Sequence, residues 1–243
     1  MNLVSLQFKT TKNFKKNFKK LVYLIKKSPK NSFILAPELC ITGYAYNNLD
    51  KAVKISKLAI KMLTRLSIDK TISLTLIQEK KKQYINTLYI FNKNQIIHTQ
   101  SKYKLFSLSN EHKYFKKGDK KDIKIINIDG LKIACLICFE LRFINLWEKI
   151  QGADLILVPA MWGRLRKDNF DILTKALAII NQCFVIASNS ANKDMSKGSG
   201  IITPFGEKFK DDNKKLIIKD IDLKEIQKMR RYLNTGIQYA KSY

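Results

Sequence analysis

The chain has 243 residues, 45% of them hydrophobic, and a formal net charge of +26. That length can bury a substantial core, no apolar run approaches the roughly 18 residues that span a bilayer, and four cysteines over this length do not make a disulfide framework. A membrane-spanning protein and a disulfide-stapled secreted scaffold are therefore not expected; one domain over residues 1–243 is.

"NLVSLQF" (2–8) reads as a strand, and its apolar residues precede the first lysines, the reverse of a signal peptide, so a cytoplasmic location is expected. Phe14, Phe18, Leu21, Val22 and Ile25 recur at helical spacing over 13–27. "SFILAPE" (32–38) predicts a second strand ending at Pro37, 49–68 a helix and 71–78 a strand. Residues 83–92 and 95–102 suggest a hairpin across Lys93-Asn94, and 122–138 a hairpin turning at Asp129-Gly130. A helix (143–151), a strand (154–160), a helix (168–182), a strand (183–189) and a hairpin through "SGIITPFGEKF" follow. Strands alternating with helices, plus added hairpins, argue for an α/β fold with mixed sheets.

The charge suggests nucleic acid or an anionic membrane as a partner. Only six of the 46 basic residues are arginine, however, and lysine and asparagine are spread through every segment. A nucleic-acid site concentrates charge and uses arginine forks or interleaved aromatics. No specific nucleic-acid or membrane partner is expected, and a basic, non-enzymatic nucleic-acid-binding protein stands as the alternative from another class.

The chain has two histidines, His98 and His112, neither with a metal-ligand partner at helical spacing, so a zinc site is not expected. No phosphate-binding glycine loop or serine elbow appears. Cys40, Cys135 and Cys183 read as buried core thiols. Cys138 closes an apolar run just before Glu140 and Arg142, with a helix starting at Phe143. Two readings fit it: a buried thiol, or a nucleophile at a strand-to-helix corner where helix N–H groups favour thiolate and an oxyanion. Glu38 ends "FILAPE", at the carboxyl end of a strand. It reads either as a solvent-facing glutamate or as a base. Between 101 and 119 no lysine stands out by chemistry alone.

Taken in order, these stretches resemble the nitrilase superfamily of carbon–nitrogen hydrolases. "APELCITGY" is similar to its P-E-x-x-x-T-G-Y block, "KYKLF" to its K-x-H-L-F block, "CFELRF" to its C-Y-[DE]-x-R-[FY] elbow, and "SGIITPFGE" to its late S-x-I-x-x-P-x-G hairpin. The resemblance implies an αββα sandwich, a homodimer or higher homo-oligomer, and a cysteine-dependent amidase needing no metal or cofactor. It makes Glu38 the general base, Lys102 the oxyanion's cation and Cys138 the nucleophile. Glu111 becomes a supporting glutamate and the Phe139 N–H an oxyanion donor. Lys104 stands where the family has histidine. Residues 161–182 look most like the ω-amidase branch, which hydrolyses 2-oxoglutaramate and succinamate. Trp162, Arg166, Asn181 and Gln182 match that pattern, while Met161, Gly163, Asn169, Phe170, Leu177 and Ile180 depart from it. Tyr44, Trp162 and Arg166 are the candidate substrate contacts, Arg166 for a distal carboxylate, and Arg142 is open to a structural or a substrate-binding role. An N-carbamoyl amine hydrolase or a deaminated glutathione amidase shares the same catalytic set.

Overall fold

Residues of the central strands are buried on both faces, because each sheet is covered on one side by helices and on the other by the second sheet. Leu3, Phe33, Leu35, Leu88 and Ile90 pack between the sheets against Ile133, Leu155, Leu157, Phe184 and Ile186. Their alternates Val4, Ile34, Leu74, Tyr89 and Phe91 lie beneath the apolar stripes of two helices, with Leu21, Leu24, Ile55, Ala59 and Leu63. A computed structural model describes residues 1–237.

The first half of the chain runs β1 (Asn2–Leu6), α1 (Phe14–Lys27), β2 (Ser32–Leu35), α2 (Leu49–Leu66), β3 (Thr71–Lys80), β4 (Gln83–Asn92) and β5 (Gln95–Ser101). After α3 (Glu111–Tyr114) come β6 (Ile126–Ile128), β7 (Leu131–Cys135), α4 (Ile144–Lys149), β8 (Leu155–Pro159), α5 (Lys167–Asn181), β9 (Phe184–Ser188), β10 (Gly200–Ile202) and β11 (Lys208–Lys210). The chain then returns to the first sheet as β12 (Leu216–Asp220), followed by α6 (Lys224–Tyr232). The sheet orders are β12-β1-β2-β3-β4-β5 and β11-β10-β9-β8-β7-β6. Each has a parallel core, β1-β2-β3 and β7-β8-β9, flanked by antiparallel strands. Parallel neighbours need crossovers, and α1, α2, α4 and α5 supply them. The result is the αββα sandwich of two mixed sheets. Ser5 Oγ donates to the Ala187 carbonyl at 2.7 Å and Ser188 Oγ to that of Leu6 at 2.6 Å, pinning the layers in register.

Several elements differ from the sequence expectation. The strand predicted to end at Pro37 stops at Leu35, two residues earlier, and the one predicted to end at Cys138 stops at Cys135, three residues earlier. The turn between β3 and β4 is made by Lys81 and Lys82, both in the left-handed region at φ 51° and 59°, where glycine or asparagine is the usual signal. The strand β12 and helix α6 have no counterpart in the expected elements, and the last six residues of the expected 1–243 domain lie outside the described ones.

Candidate active site

Two of the three candidate side chains lie just beyond the ends of parallel strands, and the third just beyond an antiparallel one. Past β2, Glu38 opens a turn that Leu39 enters at φ 45° and Gly43 leaves at φ 61°. The Glu38 N–H donates to the Ala160 carbonyl at 3.2 Å and the Leu39 N–H to Thr75 Oγ1 at 2.7 Å, so the turn is tied to both sheets. Lys102 follows β5 directly. Its N–H donates to the Asn86 carbonyl at 2.8 Å, and its carbonyl accepts the Gly118 N–H at 2.7 Å. A Cβ on Gly118 would lie 2.2 Å from the Ser101 carbonyl oxygen, so only glycine allows this approach. Past β7, Cys138 opens a 3-10 turn (Cys138–Arg142) at φ 52°.

These turns converge. Lys102 Nζ donates to Glu38 Oε1 at 2.8 Å and to Glu111 Oε2 and Oε1 at 2.8 and 3.0 Å, and all three side chains have no exposed surface. Asn86 Nδ2 donates to Glu38 Oε1 at 2.9 Å and Tyr44 Oη to Glu38 Oε2 at 3.0 Å. The Phe106 N–H donates to Glu111 Oε2 at 2.7 Å. Burial alone would depress the Lys102 ammonium, but Glu38 and Glu111 outweigh it and hold it above the ordinary lysine range. Lys104 Nζ instead sits over the Phe143 and Tyr103 rings, at 4.5 and 5.0 Å. His112 is exposed on α3, next to the inward-turned Glu111.

Cys138 is 6% exposed, at the wall of a cavity of about 190 Å³. Burial, then the charge of Glu38, push its thiol well above the usual range, against the pull of Lys102 and a hydrogen bond from the Met161 N–H. The six-residue α4 begins only at Ile144, so the N–H groups next to Cys138 are those of the 3-10 turn, and the thiol lies beside the Glu38 carboxylate. The first bond of the 3-10 turn is Glu140 N–H to the Ile137 carbonyl, at 3.0 Å. The N–H of Phe139 precedes it and is not used by the turn, as at any helix start.

Tyr44, Phe106, Phe139, Trp162, Arg142 and Arg166 line the same cavity. The Arg166 guanidinium lies over the Phe106 ring at 5.3 Å, and that of Arg142 over Trp162 at 4.7 Å while donating to Asn169 Oδ1 at 2.8 Å. Arg142, whose sequence context leaves a structural and a substrate-binding role open, is an exposed cation on the cavity rim. Tyr44, read as a substrate contact, spends its hydroxyl on Glu38. Sequence reading missed Asn86, whose signal was a polar amide inside a β-strand, where asparagine is depleted. It also missed Glu140, fully buried within the quoted elbow. Among the described residues, no group of three or more His, Cys, Asp and Glu side chains is arranged to hold a metal ion.

Residues 3–231 match the carbon–nitrogen hydrolase family. A 2-oxoglutaramate amidase of Bacillus subtilis is 31% identical over 228 residues, covering 88% of this chain and 87% of that protein. An omega-amidase of Yersinia enterocolitica is 26% identical over 73% of this chain and 69% of its own length. Among solved structures, a superfamily protein of Xanthomonas campestris superposes with a TM-score of 0.85 at 18% identity, covering 100% of this chain and 99% of that one. Nit3 of Saccharomyces cerevisiae, a nitrilase superfamily member, gives 0.84 at 19% identity, over 98% and 96%. Fold, motif order and family match agree: the chain belongs to the carbon–nitrogen hydrolase family.

Proposed function

We propose that this protein is an amidase that releases ammonia from a small amide carrying a carboxylate at its far end, of the 2-oxoglutaramate or succinamate type. The observation that carries the reading is a thiol facing a buried Glu38–Lys102–Glu111 cluster at the wall of a small cavity with two guanidiniums on its rim. Glu38 takes the thiol proton as the Cys138 sulfur attacks the amide carbon. The resulting oxyanion is met by the Lys102 ammonium and the Phe139 N–H. The amine leaves as ammonia with the proton from Glu38, giving a thioester. Glu38 then removes a proton from water, which attacks the thioester; the acid departs and the thiol is restored. A group poised beside its base needs no preformed thiolate.

A cavity of about 190 Å³ is smaller than the roughly 300–1,000 Å³ of drug-sized sites, which favours a short substrate. Arg166 and Arg142, stacked on rings and free of carboxylate partners among the described residues, supply charge for a distal carboxylate. The likeness to the Bacillus 2-oxoglutaramate amidase supports the same class.

The test is ammonia release from 2-oxoglutaramate, succinamate, acetamide and an N-carbamoyl amine. The two carboxylate-bearing amides are expected to lead, and Cys138→Ala to lower turnover at least about 10⁴-fold with thermal melting unchanged. Substantial turnover by that variant would sink the mechanism; a faster carbamoyl substrate would replace the amide assignment.

A further inference from the structure

Glu140 is a further carboxylate with no exposed surface, and the chemistry above does not use it. Its Oε2 accepts the Ile137 N–H at 2.7 Å, with Gln100 Nε2 at 3.5 Å, and its Oε1 accepts the N–H groups of Tyr103 at 2.7 Å and Lys104 at 3.4 Å. The donors come from two separate stretches of chain. Ile137 immediately precedes Cys138, beyond a strand of one sheet; Tyr103 immediately follows Lys102, beyond a strand of the other. A single side chain therefore bridges the backbone next to the thiol and the backbone next to the ammonium. Cys138 is also held at φ 52°, a conformation that persists in a non-glycine residue only where its surroundings enforce it.

We propose that Glu140 is a positioning residue whose carboxylate clamps the nucleophile turn to the end of the lysine strand and so sets the spacing of sulfur, ammonium and the Phe139 N–H. The role rests on the amidase reading for its purpose, though the clamp itself can be read without any turnover. An ionised carboxylate only accepts, which suits the N–H groups aimed at it; a protonated one turns a hydrogen toward one of them. Burial raises the Glu140 carboxyl to about 7, against the opposing pull of the Ile137, Tyr103 and Lys104 N–H groups and of the Lys102 charge. The titratable groups facing it are Lys102, held charged by its own two carboxylates, and the Cys135 thiol, pushed up by burial first and by Glu140 next. Neither changes state near neutrality. The clamp is closed above about pH 7 and loosens below it.

The experiment follows alkylation of Cys138 by iodoacetamide, an amide small enough for the cavity, from about pH 5.5 to 8.5, by intact mass and peptide mapping. Wild type, Glu140→Gln and Glu140→Asp are compared, with ammonia release from succinamate and thermal melting alongside. Wild type is expected to show a limb rising through about pH 7 in both rates. Glu140→Gln turns an NH₂ toward a backbone N–H. It is expected to lose about 100-fold in alkylation rate and kcat, the cost of a misplacement near 1 Å, with KM nearly constant and the limb abolished. Glu140→Asp, charged but shorter, should recover part of the rate and a displaced limb. Wild-type rates and limb in Glu140→Gln, or in Glu140→Asp should the former not fold, would overturn the proposal. So would a rate loss in Glu140→Gln that leaves the limb in place. A wild type that hydrolyses no amide yet shows the alkylation limb would remove the amidase reading and leave the clamp standing.

Discussion

The two sheets bring opposite kinds of chemistry to the site. At the rim of the first, every charge is satisfied inside the protein: Lys102 faces two carboxylates, and Glu38 is further held by Asn86 and Tyr44. At the rim of the second, Cys138 opens onto the cavity, and Arg142 and Arg166 lie against rings and an amide oxygen. The first rim is preorganised and buried, so its removal should damage folding and chemistry together. The second opens onto the cavity, and its removal should damage chemistry or selectivity alone.

Lys102→Met is the largest way to break that contrast. It strands Glu38 and Glu111 in the interior without their cation, and two close carboxylates cannot both stay ionised there. Urea unfolding near neutral pH should show a loss of about 3–5 kcal/mol, the range for removing one partner of a buried ion pair. Turnover should fall by at least about 10³-fold through loss of an oxyanion donor. Cys138→Ala should abolish turnover while leaving the unfolding midpoint nearly in place. Equal stability of the two variants would mean that the first rim is no more structural than the second.

The same contrast governs what the sequence makes legible. Apolar runs bounded by turn residues announce the paired sheets, and the turns at Lys93-Asn94 and Asp129-Gly130 are visible because asparagine and glycine tolerate positive φ. The Lys81-Lys82 hairpin carries no such signal, because pairing of β3 with β4 overrides the local preference of two lysines. The strand ends were read two and three residues too long for one reason: Ala36 and Pro37, and Leu136 and Ile137, are apolar because they pack in the core, not because they extend a strand. Among the lysines near residue 102, chemistry cannot choose without three dimensions, since the choice is made by Glu38, 64 positions away. Arg142 stays open in sequence because an arginine beside a buried elbow looks the same whether it braces the fold or faces a ligand.

Arg166 sharpens the comparison at smaller cost to the protein. Arg166→Ala should raise KM for succinamate about tenfold or more, as expected for a hydrogen bond to a charged group worth roughly 1.5–3 kcal/mol, with acetamide kinetics unchanged. Arg142→Ala should act in the same direction but less, because that side chain is exposed and already engaged by Asn169. If acetamide suffers as much as succinamate, the guanidiniums serve as cavity wall, not as carboxylate recognition.

The smallest expected effect lies away from both rims, where Asp171 on α5 accepts Lys208 Nζ at 2.7 Å and Lys210 Nζ at 2.5 Å and so fastens β11 to the helix. Burial would raise the Asp171 carboxyl, but Lys208, then Lys210, outweigh it and hold it below the ordinary aspartate range. A depressed carboxyl contributes stability above its unfolded pKa and loses it as pH falls through the folded one. Partial exposure of Asp171 and Lys210 keeps that pair's contribution at about 1 kcal/mol or less. Asp171→Asn should therefore lower the urea midpoint slightly near pH 7, converge with wild type as acid protonates the folded-state carboxyl, and leave kcat and KM untouched. A parallel decline of both proteins with acid would remove Asp171 from the balance. A change in kcat would show that charge clusters outside the two rims also reach the chemistry, and the division between a preorganised rim and a receptive one would have to be redrawn.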